Sequence, residues 1–385
     1  MTTHDYFVPN VNFFGPNSVN VTAERAQLLN IKKPLIVTDS FLKDLEGGPV
    51  KQVISLLNDK NIDHAIYDGV EPNPKIDNCI DGMNIYNENN CDGIITIGGG
   101  SSHDCGKGIG IAATHDGNLT DYAGIETLTN ELPPIIAVNT TAGTGSEVTR
   151  HCVLTNSETK LKFVVVSWRN VPLVSINDPL LMTSVPKGLT AATGIDALTH
   201  AVESYVSVNA NPVTDASSIQ AMKLIATNLR QAVANGENLE ARENMAYASL
   251  LAGMAFNNAD LGYVHAMAHQ LGGQYDMAHG VANAILLPIV EEYNIISNPQ
   301  RFADIAEFMG ENIEGLSTME AAHLAIQSLR EISKDVGIPS TLKEMGVKEE
   351  DFELMAENAL KDGNAFSNPR NGTKNDIIEL FKQAY

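Results

Sequence analysis

The sequence is short of positive charge. Twenty-five Lys and Arg stand against 47 Asp and Glu in 385 residues, a formal net charge of −22. So acidic a chain repels phosphate backbones, which argues against nucleic acid as a partner, and the acidity reads as a solvated surface. Cysteine is scarce too. Cys79, Cys91, Cys105 and Cys152 show no CxxC spacing, which removes metal and redox motifs of that type and fits free thiols in a reducing cytoplasm. No apolar run reaches the ~18 residues of a membrane span, so no membrane partner is expected. The opening MTTHDYFVPNVNFFGPN has no basic segment followed by an apolar one, so no signal peptide is expected. HEXXH is missing, which excludes proteases built on that pair. Repeats and low-complexity segments are missing as well.

The length exceeds one ordinary core and suggests two domains. In the first half, PLIVTD (34–39), HAIYDGV (64–70), GIITIGG (93–99) and PIIAVNTT (134–141) are short apolar runs ending in polar or Gly positions. That is how buried parallel strands read, with helices between them over 49–60 and 75–89. A hairpin follows over 152–166 with Asn156 and Ser157 near its turn, then a strand at LVSIND (173–178). After Pro186 strand signals stop. Met222, Ile225, Leu229 and Val233 form one helical stripe that Asn235-Gly236 ends. Residues 238–257, 281–295, 317–334 and 373–384 also read as helices. The expected organisation is an α/β domain over 1–185 and an all-α domain over 186–385.

The helical half holds the densest chemistry. Asp196 and His200 are four residues apart, as are His265 and His269, and His279 follows. On a helix, i and i+4 share a face, so two helices can each aim paired polar side chains at one point. One carboxylate and three imidazoles suit a borderline divalent ion, Fe(II) or Zn(II). Asp196 lies between Ile195 and Ala197, and both histidines of the second pair sit among small and apolar residues. Charge buried there is costly unless paired or metal-bound. The spacing does not separate ligands from neighbours. Gly280, next to His279, is expected to make a tight backbone turn.

The α/β half offers two polar loops. GIITI runs into Gly98-Gly99-Gly100-Ser101-Ser102 and then a helix, where Ser101 or Ser102 is expected to cap and the N-terminal amides favour an anion. The loop is neither GxGxxG nor a P-loop: Gly106-Lys107 is followed by Gly108 where Ser or Thr is required. NTTAGTGSE (139–147) follows the next strand, and two such loops at successive strand ends suit a dinucleotide. Asp39 ends the first clear strand. It precedes the glycines by about 60 residues, out of the usual Rossmann order, and reads as a helix cap.

VPNVNFFGPN, DGVEPNP, GGGSSHDCGKGIGIAATH, NTTAGTGSEVTRHCVLTN, ATGIDALTHAVE, LGYVHAMAH, MAHGVANAILLP and DGNAFSNPR together resemble the iron-dependent alcohol dehydrogenases, and the likeness runs the length of the chain. Asp260 departs from the family, which has Asn before LGYVHAMAH. The resemblance implies the dehydroquinate synthase-like architecture: an N-terminal α/β nucleotide-binding domain, a C-terminal helical domain and an active site in the cleft between them. It implies Asp196, His200, His265 and His279 as ligands of Fe(II), with Zn(II) as the alternative ion, and His269 near the substrate without binding metal. It implies NAD as cofactor, contacted by Asp39, Asn73, Gly99, Gly100, Ser101, Thr140, Thr141, Thr144 and Lys162, so Asp39 moves from cap to ribose contact. Some relatives carry Asn where this chain has His151, whose role stays open. A homo-oligomer, dimer or larger, and a small alcohol or aldehyde substrate are also implied. HCVLTN and DGNAFSNPR point to the branch that interconverts 3-hydroxypropanal and 1,3-propanediol, ahead of the lactaldehyde and methanol branches.

In such a reaction the ion polarises the carbonyl and NADH delivers hydride, with His269 relaying the proton. Cys152 beside His151 reads as incidental. The rival from another class is a metal-dependent lyase of the dehydroquinate synthase type. It is expected to carry a Glu in its metal set and more basic residues for a phosphorylated substrate. A bare NAD-binding module has no reason to hold four metal-ligand side chains.

Overall fold

The computed structural model describes residues 6–9 and 11–385. Residues 1–5 and Asn10, which belong to the N-terminal stretch and to the VPNVNFFGPN marker, lie outside the described residues. Two compact units form. One contains Phe7–Thr141 and Gly145–Ser184; the other gathers Ala142–Thr144 with Val185–Tyr385.

The first unit is built on strands β1 (Val11–Phe14), β2 (Pro34–Val37), β3 (Ala65–Tyr67), β4 (Gly93–Gly98), β5 (Gly124–Ile125), β6 (Ile135–Asn139), β7 (His151–Asn156), β8 (Leu161–Val166) and β9 (Val174–Asn177), with helices α1 (Thr22–Leu28), α2 (Ser40–Asp44), α3 (Pro49–Asp59), α4 (Ile76–Glu88) and α5 (Gly100–Thr114). The main sheet runs β1-β9-β6-β4-β2-β3, and every pairing in it is parallel. Every residue of β2, β4, β6 and β9 is buried, because helices cover both faces. This is why those segments read as continuous apolar runs rather than alternating ones. β3 lies to one side of β2, while the chain then returns as β4 on the other side and continues to β6 and β9. The order therefore reverses between β2 and β4. Ligands of open α/β sheets bind outside the carboxyl ends of strands at such a reversal. The hairpin β7–β8 joins the short β5 in a separate sheet.

β1 escaped sequence reading. It is four residues long, partly exposed and paired on one side only. So short a run gives alternation little chance to show.

The second unit contains α6 (Lys187–Val206), α7 (Pro212–Ala234), α8 (Leu239–Ala259), α9 (Tyr263–Tyr275), α10 (His279–Asn294), α11 (Pro299–Phe308), α12 (Thr318–Asp335), α13 (Phe352–Ala359) and α14 (Lys374–Gln383). Sequence signals set their ends. Asn211 caps α7 with Pro212 behind it, and Ser317 and Glu320 form a reciprocal box at the start of α12. α6 is the axis of this unit. Gly194–Val206 are all buried, so its polar residues face partners rather than water. Among the described residues, no helix is long and apolar enough to cross a membrane.

Candidate functional site

Asp196 and His200 lie one turn apart on α6, His265 and His269 one turn apart on α9, and His279 opens α10. Asp196 Oδ1 lies 3.6 Å from His279 Nε2 and 4.0 Å from His265 Nε2. The three ligand atoms all fall within 4.8 Å of one another. A tetrahedral ion with ~2.1 Å bonds spaces its ligands by ~3.4 Å, so the cluster stands slightly wide of that spacing. At its focus sits the amide of Asn283, whose Nδ2 is 2.7 Å from Asp196 Oδ1, 3.1 Å from His265 Nε2 and 3.2 Å from His279 Nε2. Three lone pairs thus converge on one electropositive group. An amide has two hydrogens for them, and Asn283 Oδ1 is left buried without a partner. A divalent cation fits this donor set better than the amide does.

His200 is placed differently. Its ring stacks on Phe256 at 4.3 Å and on His265 at 4.6 Å between centroids, and it is not in the group within 4.8 Å. Burial, partly offset by Asp196, holds its pKa down to about 4, so the imidazole is neutral and its lone pair is available. His269 stacks on His279 with centroids 5.7 Å apart, while its Nδ1 bonds Asp362 Oδ2 at 2.7 Å. Burial alone would raise the Asp362 pKa, but His269 outweighs it and holds the carboxyl low.

Gly280 does not make the turn expected of it. It lies inside α10 without a left-handed φ. A Cβ there would sit 2.3 Å from the Ala192 carbonyl oxygen. Close approach of α10 to α6, not conformational freedom, requires glycine here.

Three residues at the cluster were not singled out in the sequence. Glu203 reaches His265 Nδ1, Asp362 reaches His269, and Asn283 occupies the focus. Two carried a signal: Asp196, His200 and Glu203 fall at i, i+4 and i+7, one helix face, and Asn283 is i+4 from His279. Asp362, 93 residues from His269, opens the DGNAFSNPR marker, but no local spacing ties it to that histidine.

In the α/β unit, Asp39 lies just past β2, and Gly98 ends β4 with Gly99 and Gly100 leading into α5, both at the reversal point of the sheet. Asp39 is the N-cap of α2, its Oδ1 accepting from the Leu42 amide at 2.9 Å. Gly98 has φ +149°, a conformation that side chains resist, and a Cβ on Gly99 would meet Thr141 Oγ1 at 2.7 Å. The loops after β4 and β6 therefore touch, and Thr140 N–H donates to Gly98 O at 2.9 Å. Ser101 and Ser102 do not cap α5, contrary to expectation. Gly99 is the N-cap and offers no side-chain acceptor, so both serines lie within the first turn. First-turn amides without a cap of their own suit an anion. Lys162 Nζ donates to Asn73 Oδ1 at 2.7 Å, bringing two of the named residues together. Thr144 groups with the helical unit.

Lys107 is fully buried on α5. Its ammonium shares three hydrogens among four acceptors, the carbonyls of Ser146 (2.7 Å), Thr149 (3.0 Å) and His151 (2.7 Å) and Ser146 Oγ (2.9 Å). Asp104, 4.0 Å away, supplies the counter-charge. This lysine anchors the segment after the Thr/Gly loop and is no phosphate binder. All four cysteines are buried free thiols. The Cys152 thiol points to Asp104 O and burial pushes its pKa far up, so it is inert packing.

The chain is similar to known proteins along its length. The family model described as "Iron-containing alcohol dehydrogenase" matches residues 9–179, and "Fe-containing alcohol dehydrogenase family, C-terminal" matches 190–385. The 1,3-propanediol dehydrogenase of Citrobacter freundii is 68% identical over 381 residues, covering 99% of this chain and 98% of that protein. The NAD-dependent methanol dehydrogenase of Bacillus methanolicus is 46% identical over 380 residues, with 99% of each covered. A solved structure of 1,3-propanediol oxidoreductase superposes with a TM-score of 0.97 at 67% identity, covering 100% of both chains. With matches across both halves and the donor cluster on α6, α9 and α10, the chain belongs to the iron-containing alcohol dehydrogenase family.

Proposed function

We propose that this protein is a metal-dependent NAD(H) oxidoreductase that interconverts 3-hydroxypropanal and 1,3-propanediol. The convergence of Asp196, His265 and His279 on one point carries the metal part. The near full-length similarity to a 1,3-propanediol dehydrogenase supports the substrate. Asp196, His265 and His279 hold Fe(II), or Zn(II) in its place. His200 completes the set by turning a neutral ring already stacked on His265. Asp39, Asn73, Gly99, Gly100, Ser101, Thr140, Thr141, Thr144 and Lys162 contact NAD. Buried free thiols fit work in a reducing cytoplasm.

When bound, the ion supplies Lewis-acid polarisation of the carbonyl oxygen and the nicotinamide supplies or accepts hydride. The protein's own residues do the rest. Asp362 keeps a proton on His269 Nδ1, which leaves Nε2 as the atom that exchanges a proton with the substrate oxygen. His269 is not a ligand in this reading. The first-turn amides of α5 hold the pyrophosphate.

The test is oxidation by NAD of 1,3-propanediol, 1-propanol, 1,2-propanediol and methanol with Fe(II)-loaded protein. The diol is expected to give the highest kcat/KM, because a site that hydrogen-bonds a distal hydroxyl discriminates against analogues without it. A higher value for methanol or 1,2-propanediol overturns the substrate and leaves the family intact. Steady NADH consumption with an aldehyde excludes the lyase and the bare binding module, whereas no net change in NADH supports the lyase.

A further inference from the structure

We propose that Glu203 is the positioning residue that makes His265 a metal ligand, by gripping both its ring and its backbone. The inference rests on the metal reading above. Glu203 lies on α6, seven residues after Asp196, and is 1% exposed. Its Oε2 meets His265 Nδ1. Its Oε1 accepts from the amides of Val264 at 2.8 Å and His265 at 3.4 Å. One carboxylate thus fills two needs. α9 starts after Gly262, which has no side chain to cap it, so the first-turn amides take their acceptor from α6. An anion at a helix N-terminus is also favoured by the aligned peptide dipoles.

The chemical consequence lies across the ring. A carboxylate at Nδ1 keeps the proton there and leaves the lone pair on Nε2, the atom 3.1 Å from the focal amide of Asn283. With backbone and ring both tied to one side chain, the imidazole cannot turn away. The link also runs from the helix that carries Asp196, so it sets the spacing of two ligands from different helices.

Space around the carboxylate is kept open by a specific residue. A Cβ at Gly262 would stand 2.9 Å from Glu203 Oε1 and 2.8 Å from Asn368 Oδ1. Gly262 has φ −149°, which any residue adopts, so the need for glycine is room and not conformation. Asn368 Oδ1 in turn accepts from the Tyr263 amide at 3.1 Å. The start of α9 is therefore assembled around two imported acceptors, of which only Glu203 touches a ligand.

A plain helix cap makes a different prediction from a positioning carboxylate. Glu203→Gln keeps one carbonyl acceptor for the cap but turns an NH2 group toward either the amides or the ring. Glu203→Asp keeps the charge on a shorter arm. The experiment uses the full chain stripped of metal by chelator. Zn(II) affinity is read by competition with a chromophoric chelator, Co(II) geometry from its d–d bands, and folding from circular dichroism of the metal-free protein. Expected are a 10- to 100-fold loss of Zn(II) affinity in Glu203→Gln, the range typical of such outer partners, altered d–d bands, and an intermediate value for Glu203→Asp. A folded Glu203→Gln with affinity within about twofold of wild type overturns the inference, since a cap alone has no reason to move metal affinity. Should neither variant fold, the Zn(II)-loaded wild type decides with 15N-labelled histidine. A solvent-protected imidazole Nδ1–H supports the inference, and its absence overturns it. Wild-type protein that binds neither Zn(II) nor Co(II) overturns the metal reading itself, an outcome read independently of any Glu203 variant.

Discussion

Lys107 in the α/β unit and the Asp196 cluster in the helical unit bury charge in opposite ways. Around Lys107, three carbonyls, a hydroxyl and a nearby carboxylate surround a cation that the chain provides. Around Asn283, a carboxylate and two imidazoles surround a position for which the chain provides only an amide. Both are concentrations of acceptors among largely buried side chains. Where the protein supplies the cation, the result is architecture. Where it leaves that place to be filled from outside, the result is a site. The difference is visible in satisfaction: the ammonium has no acceptor of its own to satisfy, whereas the amide leaves its own oxygen without a partner.

Removing the internal cation gives the largest expected effect. Lys107→Met leaves the Ser146, Thr149 and His151 carbonyls short of a donor and the half-buried Asp104 without its counter-charge. The expected cost is about 3–5 kcal/mol of unfolding free energy, measured by denaturant titration of the metal-free protein. A loss below about 1 kcal/mol, the worth of an ordinary hydrogen bond, contradicts the comparison.

Removing a ligand from the other concentration is expected to leave the fold and abolish the site. Asp196→Ala, His265→Ala and His279→Ala each lower bound metal by about two orders of magnitude in affinity, on the order of 3 kcal/mol. His269→Ala keeps the metal and loses turnover. Metal content of the four purified variants checks this. Full occupancy in His265→Ala with loss in His269→Ala reverses the assignment.

How far this was legible depends on distance along the chain. The four-residue spacings announced Asp196/His200 and His265/His269, because helical periodicity is local. The same periodicity reached Glu203 but not its purpose, since an acid at i+7 on a buried face looks like any other until α9 arrives beside it. Lys107 was legible only as a lysine in a failed P-loop. Its acceptors are backbone carbonyls 39 to 44 residues away, and carbonyls have no sequence identity. The parallel strands were readable because burial on both faces makes them apolar throughout. The order β1-β9-β6-β4-β2-β3 was not, because pairing partners are set by tertiary packing.

A smaller effect concerns Glu291, fully buried near Glu203. Burial first, and the Glu203 charge second, push its pKa up to about 8 from an ordinary 4.5. A folded value above the unfolded one means that the stability it contributes is complete below 4.5 and is lost as pH rises through 8. The metal-free protein should therefore lose stability between those limits, and Glu291→Gln should remove a loss on the order of a few kcal/mol across that window. Parallel Tm-against-pH curves for wild type and variant would exclude this role.

The smallest expected effect is at Asp39. A carboxylate ~4 Å from a phosphate costs about 4 kcal/mol at an effective dielectric of ~20, before salt screening. A quarter of that gives a several-fold preference for NAD(H) over NADP(H). Asp39→Gly should narrow the preference, at a cost of a few tenths of a kcal/mol to the cap of α2. Equal wild-type kcat/KM for the two cofactors would falsify the ribose assignment.

Gly280 carries a consequence for mutational tolerance. Its missing side chain lets α10 lie against the Ala192 carbonyl, one turn before Asp196. The distance between Asp196 and His279 is thus fixed by backbone resting on backbone, with no flexible side chain to take up an error. Substitutions in most helices are absorbed by rotamers. Here even a methyl group meets backbone at 2.3 Å and must move a helix, so position 280 tolerates no side chain although glycine brings no chemistry of its own.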